Sequence, residues 1–239
     1  MEAKRFHGKI GEEYEMFKLA CPYFDNLQSC VGREIKKYYN NSPITQIKVI
    51  EIGCGPGYTT EVILKSDPRC IVIAVDNEGV MVKQAKDFLK QHVDSGRVKI
   101  VLADALSYLK SLDTESFDVF ASGFTLHNFN KNYRKELLVE IYCILKQGGL
   151  FVNADKYSLD DHVEHKKTLN WQFEKFKEVY SKIERFDLIE EWIKHYLEDD
   201  APEVVMKEGV SITIMKEIGF NDINIVFREQ TDAIIVASK

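Results

Sequence analysis

The 239-residue sequence contains no apolar run long enough to span a bilayer, no low-complexity segment and no internal repeat. It has only five prolines, and none lies in a Pro/Gly/Ser-rich stretch of the kind that marks a disordered linker. Residues 1–10 carry four charged side chains and no apolar core, so no secretory signal is expected. We therefore predict one large domain, residues 1–239, of a cytoplasmic protein.

Groupings of cysteine and histidine typical of a metal site are also missing. The five cysteines are odd in number and scattered, which favours reduced core thiols. His162 and His165 are three residues apart, but no further ligand follows them in sequence. We accordingly predict no metal site.

Positive charge is in deficit, with a formal net charge of −6. Residues 155–208 hold nine Lys and Arg against fifteen Asp and Glu, so this one segment accounts for the excess. Surfaces that bind nucleic acid need clustered Lys and Arg for the phosphates. We therefore expect no direct binding of nucleic acid.

Short β-branched runs alternate with helix-like stretches between residues 46 and 155. The runs span residues 47–52, 71–75, 98–102, 117–120 and 150–152. Continuous apolar runs of this length suit parallel strands covered on both faces. The alternation predicts an α/β fold with a doubly wound, Rossmann-like sheet, which binds ligands at the carboxyl ends of its strands.

Three helical additions flank this core. Residues 8–39 predict two helices broken near Pro22, and residues 160–200 predict a long helical insertion that acts as a lid. Residues 203–239 predict a helix from about Glu203 to Ile218, followed by two strands close enough to form an antiparallel hairpin.

The first candidate site is the turn after the first strand, where residues 48–57 read K-V-I-E-I-G-C-G-P-G. Gly53, Gly55 and Gly57 permit positive φ and let a ligand lie against bare backbone. A dinucleotide-binding loop would place its third glycine at Tyr58 and would need no acid at Glu51.

Acidic residues end the next two strands. Asp76, followed by Asn77, is placed to accept both ribose hydroxyls of a nucleoside above the glycine turn. Asp104, followed by Ala105, can accept the adenine amino group. With Glu51 they form a series of three acids on three successive strands, which predicts one cleft.

These motifs together resemble the class I S-adenosylmethionine-dependent methyltransferases. The segments that carry the resemblance are E-I-G-C-G-P-G, V-D-N-E-G-V-M, L-A-D-A, F-D-V-F-A-S-G-F-T-L-H-N-F and L-K-Q-G-G-L-F. It implies a seven-stranded sheet with an antiparallel last strand, S-adenosylmethionine as cofactor with S-adenosylhomocysteine as product, and in-line methyl transfer to a small molecule.

The resemblance also implies roles for particular residues. It places the glycine turn, with Cys54, at the methionine part, Asp76 on the ribose, Asp104 and Ala105 at the adenine, Ser122 beside the sulfonium and Met81 over one adenine face. Tyr14 belongs to N-terminal helices that commonly close over the cofactor in such proteins.

Four residues are candidates for the acceptor side. His127 and Asn128 follow the fourth strand, where they could orient or deprotonate the acceptor or bond only to neighbouring backbone. Asp155 and Tyr157 end the fifth strand at the same mouth. The aromatic residues of the insertion are more often packing residues than acceptor contacts.

A narrower resemblance, in residues 14–24 and the insertion, is to a branch of small-molecule methyltransferases and carboxy-S-adenosylmethionine synthases of tRNA wobble-uridine modification. Those synthases typically carry G-C-S-L-G at the turn and hold the extra carboxylate with an arginine, whereas here the turn is G-C-G-P-G and Arg185 is the insertion's only arginine. Carboxyl transfer and a non-catalytic cofactor-binding module are the alternatives, and the chain could be a monomer or a homodimer.

Overall fold

A computed structural model describes residues 8–239; residues 1–7, most of the charged N-terminal segment, lie outside the described residues. A single sheet of seven strands runs through the described chain in the order β3-β2-β1-β4-β5-β7-β6. Strand β7 is antiparallel to both of its neighbours, and the other pairs are parallel. The predicted Rossmann-like sheet and its closing hairpin are thus confirmed. The strands are β1 Ile47–Ile52, β2 Cys70–Asp76, β3 Val98–Leu102, β4 Phe117–Gly123, β5 Leu145–Lys156, β6 Asn221–Glu229 and β7 Asp232–Ser238.

Helices cover both faces of the sheet, and each face has its own hydrophobic cluster. Alternation along β1 shows the division, since Val49 belongs to one cluster and Ile50 to the other. The helices are α1 Lys9–Glu12, α2 Glu15–Ala20, α3 Phe24–Tyr39, α4 Tyr58–Ser66, α5 Gly79–Phe88, α6 Lys90–Asp94, α7 Ala105–Lys110, α8 Lys131–Ile144, α9 His162–Lys182, α10 Phe186–Asp199 and α11 Glu208–Ile218.

The N-terminal and C-terminal helices differ from the sequence prediction in number and length. Residues 8–39 form three helices, because α2 ends at Ala20 before Pro22, and the short α1 precedes it. Helix α11 begins at Glu208 and not near Glu203, since residues 200–207 form turns that bond to other elements; the carbonyl of Glu203, for example, accepts from the Lys131 amide.

The insertion consists of two helices that pack on the N-terminal helices. The break follows Lys182, and Glu184 has a positive φ of 55°, which leaves Ile183 exposed instead of on the predicted apolar stripe. Gln172 Nε2 donates to the Ala20 carbonyl at 2.8 Å, and the Tyr180 hydroxyl donates to the Met16 carbonyl at 3.0 Å. Elements within this chain therefore cover the apolar face of the insertion.

Strand β5 extends well beyond the predicted run at residues 150–152. Its last four residues include the polar side chains of Asn153, Asp155 and Lys156, and all three are buried. A buried polar strand end has no apolar pattern, so the apolar run stops at residue 152, although the sequence analysis placed Asp155 at the end of this strand. Among the described helices, none has both the length and the apolar character to cross a membrane.

Candidate active site

A cavity opens at the carboxyl ends of the central strands, where the sequence predicted a cleft. It has about 740 Å³ of empty space, including its open mouth. Its walls come from the strand ends, the loops after them and α2's N-terminal neighbour Tyr14. The lining residues are Tyr14, Ile52, Gly53, Gly55, Val75, Asp76, Asn77, Glu78, Met81, Ala103, Ala105, Gly123, Phe124, Thr125, Asn128, Phe129 and Tyr133.

The glycine turn forms the cavity floor through its backbone. Gly53 has φ 69°, and a Cβ atom there would lie 2.2 Å from side-chain atoms of Thr125. Its amide donates to the Val75 carbonyl at 2.7 Å, which ties the turn to β2. Gly55 has φ 51° and also lines the cavity. Glycine at 53 is therefore required both for the backbone angle and for the close approach of Thr125.

Asp76 holds the turn and faces the cavity. One carboxylate oxygen accepts from the Gly55 amide at 2.8 Å and the other from the Glu78 amide at 2.9 Å. Burial raises the pKa of this carboxyl, and the two backbone donors oppose the shift. Each carboxylate oxygen has a second lone pair, so Asp76 can accept a ligand hydroxyl on each while keeping both backbone bonds.

Asp104 does not line the cavity, but it bonds to Tyr133, which does. Its carboxylate accepts from the Ser107 amide at 2.9 Å, where it caps α7, and from the Tyr133 hydroxyl at 2.9 Å. Burial acts to raise its pKa, but these bonds hold the pKa below its ordinary value. Ala105 and Tyr133 themselves line the cavity.

The structure brings eight of the predicted site residues to the wall of this cavity and leaves the others outside it. The eight are Tyr14, Gly53, Gly55, Asp76, Asn77, Met81, Ala105 and Asn128. The remaining cofactor candidates, Glu51, Cys54, Gly57, Asp104 and Ser122, do not line it.

Glu51 and Ser122 are buried behind the wall. A Glu51 oxygen accepts from the Thr60 hydroxyl at 2.6 Å, and burial raises the pKa of Glu51 to about 8. The Ser122 hydroxyl donates to Asn153 Oδ1 at 2.5 Å. Both side chains therefore bond to the neighbouring core and not to the cavity.

Sequence reasoning missed several wall residues, among them Phe124, Thr125 and Phe129. These three follow β4 in the same motif that contains His127. Phe124 has a positive φ of 52°, which turns the chain across the strand ends. The sequence signal that could have found them is their position directly after a strand. Aromatic character alone does not distinguish a residue of a cavity wall from a residue of the hydrophobic core.

A second, smaller cavity adjoins the first and has about 260 Å³ of empty space, including the solvent at its open side. Tyr14 and Phe124 line both cavities. Aromatic rings form most of its wall, and three basic side chains lie at one end. The lining residues are Tyr14, Phe17, Phe124, His127, Lys156, Trp192, His195 and Tyr196.

His127 is oriented by Asp155 beneath this cavity. Its Nδ1 lies 2.5 Å from Asp155 Oδ1, and the other carboxylate oxygen accepts from the Leu126 amide at 2.8 Å and from Asn153 Nδ2 at 3.2 Å. Since Asp155 accepts, Nδ1 carries the proton, and Nε2 faces the cavity side. Asp155 is itself fully buried and touches neither of the two cavities.

Lys156 and Tyr196 line the second cavity, and the buried Asp199 pairs with Lys156 beside it. Lys156 Nζ lies 2.5 Å from Asp199 Oδ2 and 3.5 Å from the centre of the Tyr196 ring. Tyr157, predicted at the mouth, is buried instead, and its hydroxyl accepts from Asn153 Nδ2 at 2.7 Å. It therefore supports Asn153 and does not line either cavity.

The other candidates from sequence lie away from both cavities. Arg185 pairs with Glu13 and Asp187 on the outer side of the insertion. His162 is exposed, and His165 bonds to Asp200 at 2.8 Å, so the structure does not bring these two histidines to a common ligand.

Comparison with known proteins adds an independent line of evidence. Residues 50–153 match a family model described as a methyltransferase domain. The carboxy-S-adenosyl-L-methionine synthase of Photobacterium profundum is 27% identical over 184 residues, which cover 75% of this chain and 72% of that protein.

Solved structures share the fold. A candidate S-adenosyl-L-methionine-dependent methyltransferase of Methanococcus maripaludis superposes with a TM-score of 0.63 at 19% identity and covers 100% of this chain and 96% of its own. The CurJ carbon methyltransferase gives a TM-score of 0.62 at 18% identity over 88% of this chain, which spans about half, 53%, of that longer chain.

Proposed function

We propose that this chain transfers the methyl group of S-adenosylmethionine to a small-molecule acceptor bound in the second cavity. The match of residues 50–153 to a methyltransferase domain and the fold shared with S-adenosylmethionine-dependent methyltransferases support this proposal. The observation that carries the proposal is the junction of the two cavities at Tyr14 and Phe124. A cofactor in the larger cavity and an acceptor in the smaller one would meet there.

The residues of the larger cavity fit S-adenosylmethionine. A ligand can lie against bare backbone at Gly53 and Gly55, because a side chain at either position would need a strained angle. Asp76 can accept hydrogen bonds from the ribose on its two carboxylate oxygens, while Met81 and Ala105 provide an apolar surface for the adenine. When bound, the cofactor supplies an activated methyl carbon on a sulfonium, open to in-line attack.

The protein's contribution is to orient the acceptor and to exclude water. The aromatic rings of Phe17, Phe124 and Trp192 line the second cavity; Phe17 stacks on Trp192 and meets Phe124 edge-on, and aromatic faces suit a cationic sulfonium nearby. His127, fixed by Asp155, presents Nε2 to the same space and can orient the acceptor or accept its proton. Asn128 lines the cofactor cavity, so we assign it to the cofactor side.

Carboxyl transfer, the first alternative, has support from the name of the 27% identical relative. An added carboxylate on the cofactor would need a cation near the sulfur, yet among the described residues no Arg or Lys lines the larger cavity. Arg185 is engaged on the outer surface, and Lys156 is paired with Asp199. These placements favour plain S-adenosylmethionine.

The proposed setting follows from the same residues. Five free thiols fit a reducing compartment, so we propose a cytoplasmic location. Since helices of this chain line the second cavity, the site does not require a second subunit, and the protein could act as a monomer or a homodimer. The acidic insertion favours a neutral or cationic acceptor and no direct contact with nucleic acid.

The test is to incubate the protein with S-adenosylmethionine and fractions of a metabolite pool and to follow the cofactor by mass spectrometry. Formation of S-adenosylhomocysteine together with a methylated metabolite is expected. A cofactor that gains a carboxyl group would establish the synthase alternative, and tight binding without turnover on any fraction would favour a non-catalytic binding module. The Asp76→Ala protein is the matched negative control.

A further inference from the structure

Three potential metal ligands converge at the polar end of the second cavity. They are His127, from the 3-10 turn at Leu126–Asn128, with His195 and Asp199, which lie four residues apart on α10. One ligand atom from each lies within 4.8 Å of the other two, and all three residues are buried. The methyl transfer described above assigns no role to His195 or Asp199.

The orientation of His127 is that of a metal ligand held by a carboxylate. Asp155 Oδ1 accepts a hydrogen bond from His127 Nδ1 at 2.5 Å, which leaves the Nε2 lone pair toward Asp199 Oδ2 at 3.6 Å. That distance is too long for a hydrogen bond. Histidines that bind metals usually donate their second ring N–H to a carboxylate or carbonyl in this way.

Charge in the cluster also calls for a cation. Asp155 and Asp199 are two carboxylates with almost no exposure, and the Lys156 ammonium pairs with Asp199. Buried carboxylates require compensating charge. Asp199 has two oxygens, each with two lone pairs, so it can keep Lys156 and still offer a lone pair to a second cation.

We propose that His127, His195 and Asp199 bind a divalent transition-metal ion, with Zn²⁺ the expected occupant. Two imidazoles and one carboxylate suit such ions and leave coordination positions open. The Asp199 Oδ2 atom lies 3.6 Å from His127 Nε2 and 3.9 Å from His195 Nε2, and all three ligand atoms lie within 4.8 Å of one another. Small side-chain rotations would bring them to about 2.0–2.1 Å from one ion.

The open coordination positions of the ion would face the second cavity, which shares Tyr14 with the cofactor cavity. Resting on the proposed function, the ion would hold an oxygen, nitrogen or sulfur atom of the acceptor as a ligand and lower its pKa, as a metal does for bound water. His127 then acts as a metal ligand, and the ion takes over the activation of the acceptor. The acceptor class is accordingly a small molecule with a metal-binding hydroxyl, amine or thiol.

The test uses the full chain, freed of metal by a chelator and titrated with Zn²⁺ by calorimetry and with Co²⁺ by visible absorption. One equivalent of Zn²⁺ is expected, with the visible bands of Co²⁺ in a low-symmetry site. Asp199→Asn and His195→Ala should each weaken Zn²⁺ binding at least tenfold. His165→Ala is the matched control, because this histidine also pairs with an aspartate in the insertion, at 2.8 Å, and lies outside the cluster; its Zn²⁺ affinity should equal that of the wild type.

The Lys156→Met variant provides a second test in case the ligand variants fail to fold. Without Lys156 the cluster loses its ammonium, so the metal-free variant should melt below the wild type, and Zn²⁺ should raise its melting temperature by more than it raises that of the wild type. Zero stoichiometry in the wild type, or binding that Asp199→Asn and His165→Ala affect equally, would overturn the site. S-adenosylmethionine affinity is measured on the same samples, and no metal ligand of the cluster lines the cofactor cavity. Absence of Zn²⁺ binding with intact cofactor affinity would therefore overturn the metal site and not the proposed function.

Discussion

The Phe17 ring stacks on the indole of Trp192 with centroids 4.6 Å apart and an interplanar angle of 29°. Phe17 lies on α2 and Trp192 on α10, so the contact joins the N-terminal helices to the insertion. Phe17 also meets Phe124 edge-on at 5.5 Å. The two segments therefore form one aromatic cap over the loop that separates the cavities.

Trp192→Ala tests this cap. Because the indole is buried, the change should lower the free energy of unfolding by about 3–5 kcal/mol, while S-adenosylmethionine affinity stays within a few-fold and methyl transfer falls. Urea denaturation and calorimetry measure the two effects. Trp171→Ala is the control, because Trp171 is half-buried and stacks on Tyr23; it should lower the free energy of unfolding by less. A Trp192→Ala protein that transfers methyl groups at the wild-type rate would contradict the role of the cap.

Replacement of the whole insertion by a Gly/Ser linker would not isolate its role as a lid. The structure shows that Gln172 and Tyr180 bond to the N-terminal helices and that Phe176 is fully buried. Removing the segment would expose this shared core, so single substitutions separate stability from function better.

The sheet could be predicted from sequence because its strands are continuous apolar runs and its glycine turn follows directly from β1. The cofactor cavity followed from the same logic, since Gly53, Asp76 and Ala105 end or follow neighbouring strands. Residues at the carboxyl ends of parallel strands lie at the same edge of the sheet, and this holds without knowledge of the side-chain packing.

The second cavity could not be predicted in the same way. It brings together residues of α2, the loop after β4, the end of β5 and α10. The periodicity of apolar residues within one helix or strand does not predict contacts between such distant segments. His195 and Asp199 carry only an i,i+4 spacing, which is common on exposed helix faces. His162 and His165 drew attention because they are close in sequence, yet the histidines that converge are 68 positions apart, at 127 and 195.

Asp76→Ala should weaken S-adenosylmethionine binding at least tenfold, or about 1.4 kcal/mol. The variant loses the proposed ribose contacts and also the bonds from the Gly55 and Glu78 amides that shape the turn. Calorimetry measures the affinity, and Asp87→Ala, at an exposed position on α5, should leave it unchanged. Wild-type affinity in a folded Asp76→Ala protein would remove Asp76 from the site.

Gly53→Ala should impair the turn itself. The new Cβ would lie 2.2 Å from Thr125, on a backbone with φ 69° that alanine rarely adopts, so we expect a loss of stability above about 1 kcal/mol and weaker cofactor binding. Gly79→Ala is the matched control, because a Cβ there meets nothing within 4 Å and the residue is helical. Thermal unfolding compares the two variants, and equal effects would show that Thr125 does not constrain the turn.

The last prediction concerns Glu51, which is buried in β1 beside Thr60. Burial raises its pKa from the ordinary value of 4.5 to about 8. Between these values the folded protein keeps a proton that the unfolded chain has released, so the stability contributed by the neutral carboxyl is lost as pH rises, by up to about 1.4 kcal/mol per pH unit. Above pH 8 both states are ionised, and this dependence ends.

Glu51→Gln should remove this dependence, because the amide has the shape of the neutral carboxyl, still accepts from Thr60 and does not titrate. The stability of the variant relative to the wild type should rise from pH 5 to pH 8 and then level off. Asp232, with a pKa raised by burial to about 7, is present in both proteins and cancels in the difference. Urea denaturation across this range measures the effect, with Glu174→Gln as an exposed control. A constant difference between Glu51→Gln and the wild type would mean that Glu51 is already ionised in the folded protein at pH 5.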